Sequence, residues 1–316
     1  MRLIKHILML VFAAAMCSAH AAYPDRPVKI VVAFSPGSAT DVVARSLANS
    51  LSVALGQAVV VENRPGAGGN IATVQVARAQ PDGYTLLMHS VAYAINPSMF
   101  SNVGYRVGDL EAVAMAAVSP NILYVHPDVK AQNFGELVAL MKKEKLSYAS
   151  SGNGTTTQLG AELLFRTLLK VDVLHVPFQP AAAATAVVSG QVPIGSTSMP
   201  PVVQLVKAGK VRPIAVTSRK RSAVLPDVPT VEELGFKGFE ANTWFGLFAP
   251  PKTPPEVLDR LNSEINKALL YNSLRNSFAA LSMDISRMNR QELTSYVAGE
   301  ADKWAKVVRL SGAKVD

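Results

Sequence analysis

The chain has 316 residues, 49% hydrophobic and 17% charged, which excludes a disordered polymer and a single small core and suits two domains. Its formal charge of +8 comes from scattered residues, the longest cluster being Arg219-Lys220-Arg221. No aromatic residues interleave with that cluster, so it reads as a solvated surface and not as a nucleic-acid site.

Arg2 and Lys5, the apolar run Ile7 to Met16 and the small-x-small site Ala19-His20-Ala21 read as a cleaved secretory signal over residues 1–21. Ala22 or Tyr23 then opens the mature chain. The apolar run is too short for a permanent membrane span, and no later stretch is long enough. Cys17, the only cysteine, lies in that segment, so no disulfide, thiolate chemistry or Cys-ligated metal is expected of the mature protein. A lipoprotein would need Cys17 as its new N-terminus, and Met16 before it is larger than such sites carry. Removing Arg2 and Lys5 takes the charge from +8 to +6, which still favours anionic solutes through long-range steering.

The stretch from Val28 to Leu55 organises the rest. Lys29 to Phe34 reads as a buried strand, and Ser35-Pro36-Gly37-Ser38 as a turn. Thr40 and Asp41 are expected to cap a helix carrying Val43, Leu47, Leu51 and Leu55. Such a helix start, with its unpaired N–H groups, suits an anion. A second strand follows over 58–62, then a glycine-rich loop and a helix over 71–79, and a third strand over 84–88. This alternation predicts a mostly parallel sheet. Residues 96–109 read as irregular, and 113–118 and 121–125 as strands.

From Asn133 the pattern restarts. Asn133 and Glu136 form a capping-box pair for a helix to about Lys145. Strands over 146–149, 173–176 and 192–195 each lead into a Ser, Thr, Gly or Pro loop and then a helix, over 158–169, 181–189 and 200–208. A strand over 213–217 completes the second unit. Thr230 and Glu233 should cap a short helix, and Glu240 to Ala249 reads as extended. Thr253 to Glu256 should open a helix with a capping box, and Asn289 and Glu292 open the last helix, which Gly312 ends.

Familiar chemistry is mostly absent. Gly66-Ala67-Gly68-Gly69-Asn70-Ile71 fails the dinucleotide fingerprint at Ile71, and no P-loop occurs. His89, His126 and His175 lack metal-ligand spacing and read as structural. No nucleophile elbow is found, and no basic residue adjoins the Ser-rich loops to activate a hydroxyl. Asp41, at a helix start, reads as a cap rather than an acid or base. No catalytic residue, metal or cofactor is implied. What remains is a set of small polar loops at helix starts, suited to a cleft that holds an anion by N–H groups and hydroxyls. An exported Ser-dependent hydrolase and a secreted structural domain stay open as alternatives.

The runs YPDRPVKIVVAFSPGSATDVVAR, VVVENRPGAGGNIAT, PDGYTLL, YASSGNGTTTQLGAELL, HVPFQPAAAATAVVSGQV, RPIAVTS, LPDVPTVEELG and TWFGLFAPPKTPPEVLDRLN resemble the Bug (TctC-like) family of extracytoplasmic solute receptors. These serve tripartite tricarboxylate transporters, and the resemblance covers nearly all the mature chain. It implies a periplasmic-binding-protein-like α/β fold, with domain 1 over 22–122 and 247–316, domain 2 over 123–246, and a ligand cleft at the hinge. It further implies a periplasmic, monomeric protein without enzymatic activity that binds a small carboxylate. Its partners would be membrane permease subunits or a sensor ectodomain.

The family's ligand loops map onto Phe34, Ser35, Gly37, Ser38, Ala39, Thr40 and Asp41 after the first strand. They map onto His89, Ser90 and Ala92 after the third, and onto Ser151, Gly152, Asn153, Gly154, Thr155 and Thr156 in the second domain. Phe178, Gln179, Thr243 and Trp244 complete the set. The family usually has two glycines at Gly37-Ser38 and often Tyr-Lys-Gly at Phe178-Gln179-Pro180. Those departures remove a possible cation and add a hydroxyl.

Overall fold

The computed structural model describes residues 23–315, so the signal segment lies outside the described residues. Two sheets carry the fold. The first has strand order β11-β4-β10-β3-β1-β2, from β1 (Val28–Val32), β2 (Val59–Asn63), β3 (Thr85–Ser90), β4 (Glu111–Ser119), β10 (Thr243–Ala249) and β11 (Asp284–Ile285). The second has order β7-β6-β8-β5-β9, from β5 (Asn121–Val125), β6 (Ser147–Ser150), β7 (Leu174–Pro177), β8 (Ile194–Ser198) and β9 (Arg212–Val216).

Both sheets are mixed, which corrects the expectation of a mostly parallel one. β1 pairs in parallel with β2 and β3, but the returning β10 lies antiparallel between β3 and β4. In the second sheet β6 is parallel to β7 and β8, while β5 runs antiparallel to β8 and β9. The chain crosses between sheets twice. The first crossing is at Pro120, and the return enters the first sheet at Thr243.

From Ile30 onward β1 buries both faces, as its apolar run requires, while Lys29 stays exposed. Ile30 and Val32 pack with Val43, Leu47 and Leu51 of α1 (Ala39–Leu55), together with Leu258, Leu261 and Ile265 of α8 (Pro255–Ala268). Val31 and Ala33 face the opposite layer, with Tyr93 and Ile95 of α3 (Ala92–Met99) and Trp304 and Val308 of α10 (Arg290–Ser311). Each such fully buried side chain contributes about 1.5–3 kcal/mol. α10 begins with the expected Asn289–Glu292 capping box and ends at Gly312, whose φ of 68° suits glycine. It packs on α3 and β4 and also touches α5 (Thr156–Glu162) and the π-helical turn Leu163–Leu168 that continues it, so it braces both sheets.

The remaining helices are α2 (Asn70–Ala77), α4 (Phe134–Lys143), α6 (Pro180–Val188), α7 (Val203–Lys207) and α9 (Asn272–Ala280). α3 runs into the segment expected to be irregular and carries Pro97 inside it. A proline there cannot donate to the carbonyl four residues back, and Tyr105 Oη donates to that Tyr93 oxygen instead, at 3.0 Å. Three local expectations change. Thr253 donates to Pro250 O and does not cap α8, which starts from Pro254. Thr230 and Glu233 exchange the capping-box hydrogen bonds on a turn that does not extend into a helix. Ser196-Thr197-Ser198, expected as a loop, completes β8 opposite Asn121 to Leu123.

Candidate functional site

The β1–α1 turn is held by its own polar groups. Ser38 N–H donates to Ser35 O at 3.2 Å, and Gly37 takes the positive φ of 78° that the turn requires. Ser38 is the N-cap, its Oγ accepting from Asp41 N–H at 3.2 Å, which corrects the expectation that Thr40 and Asp41 cap this helix. Asp41 instead locks the loop. Its buried carboxylate accepts from Gly37 N–H at 3.0 Å, Arg45 Nε at 3.0 Å and Asn63 Nδ2 at 2.8 Å. Burial alone would raise its pKa, but hydrogen bonds from Arg45, Gly37 and Asn63 and the Arg45 charge hold it below the ordinary value. With its oxygens so occupied, Asp41 is a structural carboxylate.

The second loop, after β6, uses the same devices. Thr155 is the N-cap of α5, its Oγ1 accepting from Gln158 N–H at 3.3 Å and donating to Gly152 O at 2.7 Å. Ser151 N–H donates to Thr157 Oγ1 at 3.0 Å, while Ser151 Oγ is buried with no partner among the described residues. Gly154, at φ 71°, presses against α3 of the first sheet's layer. A Cβ there would lie 2.2 Å from Asn96 Oδ1.

The return strand closes the site. Thr156 Oγ1 lies 2.5 Å from Thr243 Oγ1, which donates to Asn121 Oδ1 at 2.8 Å; Asn121 Nδ2 in turn donates to Ala241 O at 2.7 Å. This chain of hydrogen bonds ties the second loop to both crossings. On β10 the side chains alternate, so Thr243 and Phe245 face the cleft. Trp244 turns away, its indole Nε1 donating to Glu300 at 3.2 Å.

These parts line a small inner cavity of about 30 Å³, and a larger one of about 620 Å³, here called the mouth, adjoins it through the shared Phe34 and Ser151. The inner walls carry nine hydroxyl side chains. Ser38, Thr40, Ser90 and Thr243 come from one side, and Ser151, Thr155, Thr156, Thr157 and Ser198 from the other. Phe34, Ala39, Pro180 and Phe245 supply the apolar remainder. Gly152, Asn153, Phe178 and Gln179 line the mouth, together with Gly66 to Gly69 and Phe100. No ionisable side chain lines either compartment among the described residues. Across the rim, a Cβ on Gly37 would lie 3.9 Å from Ala181 Cβ, so the two walls are in contact distance.

Most sequence-expected residues therefore meet at one cleft. Ser35, Gly37, Asp41 and Gly154 shape its loops without lining it, and Ala92 is buried at the start of α3. Trp244 belongs to the opposite face of its strand. His89 sits fully buried behind Phe34, ring centroids 5.5 Å apart, its Nδ1 accepting from Ser90 N–H at 2.8 Å and its Nε2 against Gly69. Desolvation pushes His89 down to about 4 against weaker hydrogen-bond effects, so it is a neutral structural histidine near pH 7. Sequence reading missed Thr157, Pro180, Ser198 and Phe245. Strand alternation from Thr243 could have found Phe245, and extending β8 could have found Ser198.

A base does reach one serine. Ser150 Oγ lies 2.7 Å from His175 Nε2, across the β6–β7 pair. Ser150 is fully buried and outside the cavity lining, so it has no access to a substrate. His175 is pushed down to about 4, first by burial and then by the positive charge of Arg166. No group of three His, Cys, Asp or Glu side chains could hold a metal ion among the described residues.

The family described as the tripartite tricarboxylate transporter family receptor, TctC, matches residues 43–312. The chain belongs to this family. Its two-sheet α/β architecture is that of periplasmic binding proteins. The periplasmic binding protein BugD is similar at 36% identity and TM-score 0.88, over 92% of this chain and 99% of that one. An R. palustris protein solved with adipate is 31% identical with TM-score 0.88, over 92% and 98% of the two chains. MatC from Rhodopseudomonas palustris with bound malate is 31% identical with TM-score 0.85, over 90% and 100%. The receptor is thus a solute-binding protein of the TctC and Bug type, and solved relatives of this family are periplasmic.

Proposed function

We propose that the receptor is exported to the periplasm, captures a small carboxylated solute between its sheets, and passes it as a monomer to permease subunits of a tripartite transporter or presents it to a sensor. The observation that carries this reading is the hydroxyl-lined, charge-free inner cavity at the starts of α1 and α5. An exposed helix start contributes about 0.3–1 kcal/mol to a bound charge, up to ~2 when partly buried. Micromolar affinity needs about 8 kcal/mol, so the hydroxyls must supply the rest through charge-assisted hydrogen bonds of about 1.5–3 kcal/mol each. Ser38 and Ser151 are the side chains we assign to the carboxylate, Ser151 with its unpartnered hydroxyl foremost, while Thr156, whose hydroxyl donates to Thr243 Oγ1, shapes the floor beneath them. The relatives solved with adipate and malate support the ligand class.

The inner cavity has room for about two waters. Entry of a solute then requires the walls to part, and we assign that motion to a hinge at the two crossings, near Pro120 and Ala241–Thr243. A hydrolase is disfavoured because the one Ser–His pair at the site is sealed from the cleft. The test is a melting-temperature panel of mono-, di- and tricarboxylates, amino acids and aromatic acids on natively purified mature protein, after identifying any co-purified solute. A true ligand at 100 times its Kd adds about 2.7 kcal/mol of stability. Absence of any shift across the panel contradicts the reading.

A further inference from the structure

We propose that His175 is a positioning residue for the solute site: by accepting the Ser150 hydroxyl proton it fixes the turn that aims Ser151 into the cleft. The proposal rests on the receptor reading above. Ser150 Oγ accepts from Gly152 N–H at 3.1 Å, so its own proton needs an acceptor. Two are in reach, His175 Nε2 at 2.7 Å and Gly152 O at 3.4 Å. At 2.7 Å against 3.4 Å the imidazole is the better placed acceptor, and the carbonyl is shared with Thr155 Oγ1, so we assign the Ser150 hydrogen bond to Nε2, with the ring proton on Nδ1.

Ser150 is a junction for two cleft loops. Its hydroxyl fixes Gly152, whose φ of 110° belongs to a conformation that other residues rarely adopt. Its carbonyl accepts from Phe178 N–H at 3.2 Å, which ties down the Pro177–Gln179 segment of the mouth. Ser151, the next residue, lines both compartments. His175 is held in turn by the Tyr148 ring, with centroids 5.0 Å apart. Tyr148 is anchored by its hydroxyl to Glu162, which pairs with Arg166 at 3.1 Å. Without the imidazole acceptor, the Ser150 hydroxyl must turn to Gly152 O, and its grip on Gly152 N–H weakens. A histidine of merely structural value would not transmit its loss to the ligand loop.

The test compares wild type with His175→Leu and His175→Gln, the glutamine placing an amide oxygen about where Nε2 lies. In the ligand-free wild type, long-range proton–nitrogen correlation of the His175 ring should find Nδ1 protonated and Nε2 bare; a proton on Nε2 overturns the proposal. Amide exchange at Gly152 should quicken in the leucine variant and recover in the glutamine variant, and unchanged exchange in both overturns it. With malate as the calorimetric probe, affinity should fall on the order of tenfold for leucine, the worth of about one hydrogen bond, and largely return for glutamine. Equal malate affinity in all three proteins also overturns it. If the leucine chain does not fold, Ser150→Ala removes the donor from the other side and must give the same loss. If malate does not bind the wild type, the tightest carboxylate of the panel replaces it as probe; if none binds, the receptor reading has failed, and the ring and amide measurements still decide the Ser150–His175 link.

Discussion

Acidifying from pH 7 to pH 5 should cost the protein about 2 kcal/mol of stability through His89, and the size follows from its burial. The ring is fully buried and its pKa is pushed down to about 4 from an ordinary 6.5. A histidine so depressed binds protons more readily in the unfolded chain, so its contribution is complete above pH 6.5 and is lost as pH falls towards 4. At 1.36 kcal/mol per unit, the full loss approaches about 3 kcal/mol below pH 4. Urea unfolding followed by tryptophan fluorescence reports the loss, because Trp244 and Trp304 are the only tryptophans and lie on β10 and α10 in the same core as Tyr93, beside the His89 ring. His89→Asn keeps an acceptor near Ser90 N–H and removes the titration. It should be less stable at pH 7 but lose most of the slope between pH 7 and 5. A variant with the wild-type slope refutes the assignment. His175 shifts in the same direction, but its ring is only partly buried, so solvent screening makes its share smaller.

Three further outcomes follow from the site. Gly154→Ala places a Cβ against Asn96 at a left-handed position, so it should cost about 1–3 kcal/mol and weaken ligand binding by holding the walls apart, measurable by melting and scattering. Ser38→Ala removes the α1 N-cap and should lower stability by about 1 kcal/mol in urea titration while also weakening ligand binding. Because no ionisable side chain lines the cleft, affinity for a fully ionised carboxylate should stay flat from pH 6 to 9 by calorimetry; a strong dependence would point to a charged contact.

Much of this was legible in the residues, for identifiable reasons. β1, α1 and α10 announce themselves through an almost uninterrupted apolar run, a helical stripe and a capping box, all local signals. The mixed sheets were not legible, because the pairing of β10 between β3 and β4 is a long-range event with no local signature. α3 hid behind Pro97, whose lost hydrogen bond is replaced by Tyr105 from outside the helix. At the site, the Ser, Thr and Gly loops marked the cleft, but their division of labour did not show. Ser38 caps, Asp41 braces, and His89 is sealed, and the last two outcomes depend on partners distant in sequence, Asn63 and Gly69. The Ser150–His175 pair was invisible for the same reason, since only strand pairing brings β6 and β7 together.

The central claim is that the hydroxyl cavity between the sheets holds the solute carboxylate. Thr156 sits at its floor, buried, with its hydroxyl on Thr243. The most direct measurement is calorimetric titration of the best carboxylate from the panel into wild type and Thr156→Leu, with circular dichroism checking that both are folded. The account predicts one site per chain in the wild type and its loss in the folded variant. Wild-type affinity in folded Thr156→Leu would contradict it.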